Sequence, residues 1–244
     1  MNYNWNWAIL LQPSPDGSGT YLHSLFIGLQ WTLITAAGAW IVALIIGSMM
    51  GIMRTLPNRW LSGIGTVYVE IFRNIPLLVQ LFLWYFVLPE ALPSSWGIWL
   101  KQLPNGTLYT SMLGLGLFMG ARIAELMRAG IRSLPRGQLQ AATAIGLTLR
   151  QAYAQVILPQ AYRVIFPPLT SEMINTIKNT SVALIIGLIE LTARARAMQE
   201  YSFQVFEAFT AATIIYVIVN LCVTFAMRGL EKYFEVPSLG TLKK

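Results

Sequence analysis

Thirty consecutive residues, Ser24 to Met53, carry no charged side chain. A helix needs about 20 mostly apolar residues to cross the hydrocarbon of a bilayer, so the run reads as a membrane span. Ala208–Met227 is a second uncharged run. Three more polar segments have the required length: 65–88, free of charge from Asn74 to Pro89; 108–127, with Arg122 and Glu125; and 162–188, with Glu172 and Lys178. Composition agrees, since only 11% of residues are charged and 55% are hydrophobic, against about 25% charged in soluble domains. The expectation is an all-α membrane protein with five transmembrane helices, at about 24–53, 65–88, 108–127, 162–188 and 208–227. An outer amino-terminal segment, 1–22, precedes this domain of 23–228, and a cytoplasmic tail, 229–244, follows it.

Orientation is read from the basic residues, which concentrate in cytoplasmic loops. Arg54 and Arg59 follow the first span, Arg128, Arg132, Arg136 and Arg150 lie between the third and fourth, and Arg228, Lys232, Lys243 and Lys244 follow the fifth. The opposite side holds Lys101 and the pair Arg194 and Arg196, a weaker set. The amino terminus is therefore expected outside and the carboxyl terminus inside. The same reading accounts for the net charge of +7 without nucleic acid. The start, MNYNWNWAILL, lacks a basic n-region and a small-residue cleavage site, so the first span is expected to be an uncleaved anchor. One cysteine, Cys222, allows no internal disulfide, and one histidine, His23, offers no histidine pair to a metal.

Between the third and fourth spans runs QAATAIGLTLRQAYAQVILP, Gln140 to Pro159. It is too polar to cross a membrane and too apolar for an ordinary loop. Leu139, Ala142, Ile145, Leu149, Tyr153 and Val156 recur at helical spacing. Gly146 interrupts them where a helix can end and turn, and Pro159 marks a break before the fourth span. The segment reads as two short helices around a turn, with an apolar stripe that the chain does not obviously cover. Two roles are open: a helix pair on the membrane surface, or an element docked in the groove of another protein.

The segment resembles the EAA loop of ABC-type import permeases, E-A-A, three residues, G, nine residues, I-x-L-P. Here it reads Gln140-Ala141-Ala142, Gly146, Val156, Leu158-Pro159, with Gln for Glu and Val for Ile. YVEIFRNIPLLVQLFLWY, RAGIRSLPRGQ, LPQAYRVIFPPL and KNTSVALIIGLIEL extend the resemblance to the polar amino-acid uptake branch, its glutamate/aspartate members above all. It implies a type I ABC importer permease fold with a cytoplasmic coupling helix pair at 136–159, in a bacterial inner membrane. It also implies an ATP-binding cassette ATPase dimer docked on that loop, a second and related permease subunit, an extracytoplasmic solute-binding protein and an amino-acid substrate. ATP and Mg would then sit on the ATPase, with no cofactor here, and indeed no G-x-x-x-x-G-K-[ST] occurs in this sequence.

Ionisable groups inside a membrane are costly and therefore functional candidates. Arg122 and Lys178 lie at similar depth, roughly 20 Å inward from the outer ends of their spans, and would suit a carboxylate if they faced one cavity. Glu125, three residues after Arg122, offers a competing role as its structural ion-pair partner. Glu70 and Arg73 form a similar i,i+3 pair. The glycines Gly28, Gly38, Gly47 and Gly51, and the stretch Gly114–Arg122, suit close helix packing. Residues 91–106, with Pro, Gly and Trp, suit a loop at the outer interface. Two other classes stand beside this one. An ion-gradient transporter or channel subunit could use Glu125 and Glu172 as proton sites. A membrane serine protease is disfavoured, because His23 sits at a boundary and no G-x-S-x-G occurs.

Overall fold

The computed structural model describes residues 3–234, all helical apart from turns and one isolated bridge between Pro13 and Thr20. Lys243 and Lys244 lie outside the described residues. Helix α1 spans Tyr21–Met53 and starts at Thr20, whose side chain accepts from the His23 amide at 3.2 Å. Helix α6 spans Gly106–Ser133 and is the other long central element. The two pack along a line of small residues. At Gly47 a Cβ would stand 2.6 Å from the Gly120 carbonyl oxygen, so only glycine permits this approach.

The expected second span is not one rod. Helix α2, Arg59–Asn74, stops at Ile75-Pro76, and the run Leu77–Ala91 departs from it at 103°. The cause is local: the residue before a proline is pushed out of the helical region, and Ile75 sits at φ −96° and ψ 127°. Buried Gln80 closes the break, donating from Nε2 to the carbonyls of Phe72 at 2.9 Å and Ile75 at 2.8 Å. Beyond the break come α3, Leu77–Phe82, a π-helical turn at Leu83–Val87, and α4, Leu88–Ala91. The segment expected as an outer loop folds in part as α5, Ser94–Lys101.

After α6, Leu134-Pro135 ends the helix and α7 covers Arg136–Ala144. Helix α8, Leu149–Ala152, begins at Thr148. Pro159 does not break the chain here, contrary to expectation. A π-helical turn at Tyr153–Ile157 carries α8 directly into α9, Leu158–Asn179. Proline removes an amide donor and clashes with the carbonyl four residues back. The extra residue of a π turn relieves both problems. The same device precedes Pro89, where the π turn Leu83–Val87 occupies the same offset.

The fourth span also ends early, at Asn179 and not at residue 188. Thr180 and Ser181 turn their hydroxyls back on the carbonyls of Ile177 and Lys178, both at 2.7 Å, and the backbone tightens into a 3-10 segment, Thr180–Ile186. Such back-bonding competes with α-helical pairing. Gly187, at φ +89°, closes the segment. Helix α10, Leu191–Ser202, follows, capped by the buried carboxylate of Glu190, which accepts from the Ala193 amide at 2.8 Å and the Tyr216 hydroxyl at 2.8 Å. Helix α11, Val205–Phe234, runs past the expected end of the fifth span, so the first residues of the supposed tail are helical.

Among the described residues two helices, Tyr21–Met53 and Val205–Lys232, are long and apolar enough to cross a membrane on their own, and the bent pair makes a third. The expected spans α6 and α9 are more polar and sit inside the bundle. One core joins α1, α3, α6 and α9 through Ala39, Leu81, Met119, Ile123 and Ile165. A second, smaller core joins the start of α1 to α10 and α11 through Leu25, Leu191, Met198 and Ala208.

Candidate functional site

Two features gather the chain's polar chemistry. The first is a cluster of ion pairs centred on α6. Glu125 Oε1 accepts from Arg54 Nη1 at 2.8 Å and from Arg73 Nη1 at 3.2 Å, and its Oε2 accepts from Arg128 Nη2 at 2.9 Å. One carboxylate thus ties the end of α1, the end of α2 and the middle of α6. Arg54 is the buried member, with 7% of its side chain exposed. A buried guanidinium is tolerable only when paired and hydrogen-bonded.

Arg122 does not pair with Glu125, although they share α6. Its Nε donates to Glu172 Oε2 on α9 at 2.8 Å. Glu125 is already saturated by three guanidiniums, and Glu172 faces α6 across the bundle. Likewise Arg73 turns from Glu70 to Glu125, while Glu70 accepts from Asn74 Nδ2 at 3.2 Å. Arg73, Phe118, Arg122, Glu125, Leu126 and Glu172 line a recess of about 390 Å³. Four guanidiniums around two carboxylates leave this neighbourhood positive. Arg122 keeps 45% of its side chain exposed, so part of its fork is free to meet an anion. Lys178 does not line this recess. It lies six residues beyond Glu172, about 120° around the helix, exposed and without an ion-pair partner among the described residues. The expectation of matched depth is corrected as well: Arg122 stands level with Glu172, whereas Lys178 lies about 9 Å further along α9, one residue before that helix ends at Asn179.

The second feature is the elbow of α7 and α8. Gly146 stands at φ +90° with open space around it. The Leu147 amide donates to the Ala142 carbonyl at 3.1 Å, which turns the chain back. Thr148 then starts the next helix with a capping box shared with Gln151. The turn expected at Gly146 is thus present. The expectation of one uncovered stripe is corrected. Ala142 and Tyr153 are buried, Leu139 and Val156 pack against the main core, and only Ile145 and Leu149 stand exposed, Ile145 at 79%. Of the motif residues, Gln140, Ala141, Gly146 and Pro159 face outward, whereas Ala142, Val156 and Leu158 hold the elbow against the bundle. Tyr153, which anchors the elbow to Thr55, carried no sequence signal beyond its place in the stripe.

At the other end of the bundle, Asp16 pairs with Arg194 of α10 and accepts from Ser18. Burial pushes the Asp16 carboxyl up, but hydrogen bonds from Ser18 and Ser14 and the Arg194 charge outweigh it and hold the group well below the usual carboxylate range. This contact closes the amino-terminal segment onto the second core.

Long helices wrapped around charged residues, one span broken at a proline and an exposed helix–glycine–helix elbow define a membrane component of a transport system. Its two candidate proton sites, Glu125 and Glu172, are both neutralised by guanidiniums. The chain belongs to the family described as binding-protein-dependent transport system inner membrane component, whose model matches residues 43–235. It is 50% identical over 240 residues to the glutamate/aspartate import permease protein GltJ of Escherichia coli (strain K12), covering 97% of this chain and 98% of that one. It is 37% identical over 185 residues to the probable amino-acid ABC transporter permease protein PatM of Vibrio harveyi, covering 76% and 80%. A crystal structure of an amino acid ABC transporter with histidines matches at TM-score 0.72 and 28% identity, over 87% of this chain and 95% of that chain. The MetNI methionine ABC transporter in an inward-facing conformation matches in fold at TM-score 0.68 and 18% identity, over 87% and 94%.

Proposed function

We propose that this chain is one of two permease subunits in an ATP-driven uptake system for glutamate and aspartate, lying in the inner membrane with its amino terminus outside and its carboxyl terminus inside. In this reading α1, the broken pair α2 to α4, α6, α9 and α11 are the five spans. The elbow, through Gln140, Ala141, Gly146 and the exposed Ile145 and Leu149, seats in a groove on a separate ATPase that carries ATP and Mg. Ala142, Val156, Leu158 and Pro159 set its angle. A second, related permease closes the pathway, and a solute-binding protein delivers substrate from outside.

The observation that carries the substrate class is the half-exposed Arg122, which lines a recess beside an ion-pair cluster where four guanidiniums meet two carboxylates. An acidic amino acid brings two carboxylates into poorly solvated space, where each needs a fixed partner. Exposed Lys178, about one and two-thirds turns further along α9 than Glu172, meets the solute first. The side-chain carboxylate then replaces Glu172 on Arg122, whose planar fork can hold it with two parallel bonds. Identity to the glutamate/aspartate permease supports the same assignment.

Arg122→Met tests it. Uptake of radiolabelled glutamate in proteoliposomes falls more than ten-fold while the ATPase still co-purifies. Because Arg122 bonds Glu172, the control is Arg122→Met with Glu172→Gln, which leaves no stranded acid. If that double variant restores uptake, Arg122 serves packing and not the solute.

A further inference from the structure

Tyr153 sits in the π turn between α8 and α9, with 7% of its surface exposed. Its hydroxyl donates to the Thr55 carbonyl at 3.1 Å and stands 3.2 Å from Thr55 Oγ1. The Thr55 hydroxyl itself donates to the Ile52 carbonyl at 2.8 Å, so it presents lone pairs to Tyr153. Thr55 is no loose tether. Its amide donates to Ile52 at 2.9 Å and the next amide, Leu56, donates to Met53 at 3.3 Å, which wraps the residue onto the end of α1. Its chain neighbour is Arg54, whose guanidinium rests on Glu125 at 2.8 Å. Arg54 is itself confined, because Gly65 of α2 approaches so closely that a Cβ there would lie 2.7 Å from Arg54 Cγ.

Beside this link the packing of the elbow is interrupted on one side. A recess of about 570 Å³ separates it from the ends of α1 and α6, lined among others by Thr55, Leu134, Leu139, Gln140 and Tyr153. Beside that gap the Tyr153 hydroxyl makes a directional contact from the elbow to the end of α1.

We infer that Tyr153 is a positioning residue for transport: its hydroxyl, bonded to Thr55, carries displacement of the α7–α8 elbow to Arg54 and so to the ion-pair cluster at Glu125. This rests on the reading of the elbow as the ATPase dock. The route is four residues long and rigid at each step, so a push on the elbow reaches the end of α1 before the recess absorbs it. Without the hydroxyl, the elbow still docks and the partner still hydrolyses ATP, but the stroke is spent in the recess.

Tyr153→Phe keeps the ring and its packing and removes only the hydroxyl. The assay uses the complete complex of both permeases, the ATPase and the binding protein in proteoliposomes, with radiolabelled glutamate as solute. Glutamate moved per ATP is expected to fall about five-fold, or about 1 kcal/mol, through kcat and not KM. Co-purification of the ATPase, its hydrolysis rate and the melting temperature should not change. Thr55→Ser, which keeps the hydroxyl, should behave as the wild type. Thr55→Val should lose part of the coupling, and adding it to Tyr153→Phe should lower coupling no further. A wild-type ratio of glutamate to ATP in Tyr153→Phe overturns the inference. If Tyr153→Phe lowers the melting temperature, the two Thr55 variants decide, and equal coupling by Ser and Val overturns it as well. The dock itself is judged separately, on whether the wild-type chain retains the ATPase at all; if it does not, both readings fall.

Discussion

Replacing Glu125 by Gln keeps the side chain's size and one hydrogen-bond acceptor but removes the charge that three guanidiniums share. The structure separates their contributions. Arg73 is 52% exposed and Arg128 31%, so water can take over their solvation. Pairs of that kind contribute about 0–1 kcal/mol. Arg54 is different, with 7% exposure and Gly65 against its stem. Removing one partner of a buried pair costs about 3–5 kcal/mol, because the other charge stays buried. The amide that remains can still accept one bond, which offsets about 1 kcal/mol. Glu125→Gln should therefore destabilise the fold by about 3 kcal/mol. Reversible unfolding in mixed detergent micelles, followed by circular dichroism, measures it. Two companions sharpen the result. Arg73→Ala should cost less than about 1 kcal/mol, and Arg54→Met together with Glu125→Gln should recover most of the loss, since no charge is then stranded. A Glu125→Gln variant within about 0.5 kcal/mol of wild type, the range of an unremarkable surface change, would refute the argument that Arg54 depends on this carboxylate.

Gly146→Val forces a β-branched residue into the left-handed region at φ +90°, at a local cost of roughly 1–2 kcal/mol. The variant should still insert, yet lose solute uptake and the binding of the ATPase together; normal ATP-driven uptake would dismiss the elbow as the dock. Asp16 gives a pH signature. Its carboxyl is held below its ordinary value of 3.8, so its contribution is full above that pH and declines as acid protonates the folded protein. The melting-temperature gap between wild type and Asp16→Asn should be constant from about pH 8 to 5 and shrink below about pH 4; a gap that closes near neutrality would mean the Arg194 contact is not what holds the segment. A reporter inserted at Asp16 should be accessible from outside the cell and one fused after Lys244 only from the cytoplasm; a cytoplasmic readout at Asp16 would overturn the five-span orientation.

The membrane class and the elbow were legible because they rest on features a linear string carries directly. An uncharged run of thirty residues has one physical meaning, and Gly146 at the centre of a helical pattern announces its turn. Prolines were harder, because proline has no single consequence. Ile75-Pro76 breaks a helix by 103°, whereas Pro159 and Pro89 are accommodated by π turns just before them, and Pro167 and Pro168 lie inside α9. Which outcome wins depends on whether another group, such as Gln80, satisfies the carbonyls that a break sets free. The ion pairs were least legible. Arg122 and Glu125 share a helix at a spacing that favours pairing, but each found a stronger partner on another element. That choice is made by packing of α1, α2 and α9 around α6, which no local spacing encodes. The docking stripe failed in a similar way: helical periodicity identifies a face that is covered, but not whether this chain or another covers it.

The central claim is that the chain conducts an acidic amino acid only when a separate ATPase works through its elbow. The direct test is glutamate uptake into proteoliposomes holding this chain, its partner permease and the ATPase, with the binding protein outside and ATP inside. Glutamate should accumulate only with both ATP and the binding protein, continue to do so when proton and sodium gradients are collapsed, and fail to do so in Gly146→Val. Uptake driven by an ion gradient with no ATP present would contradict it.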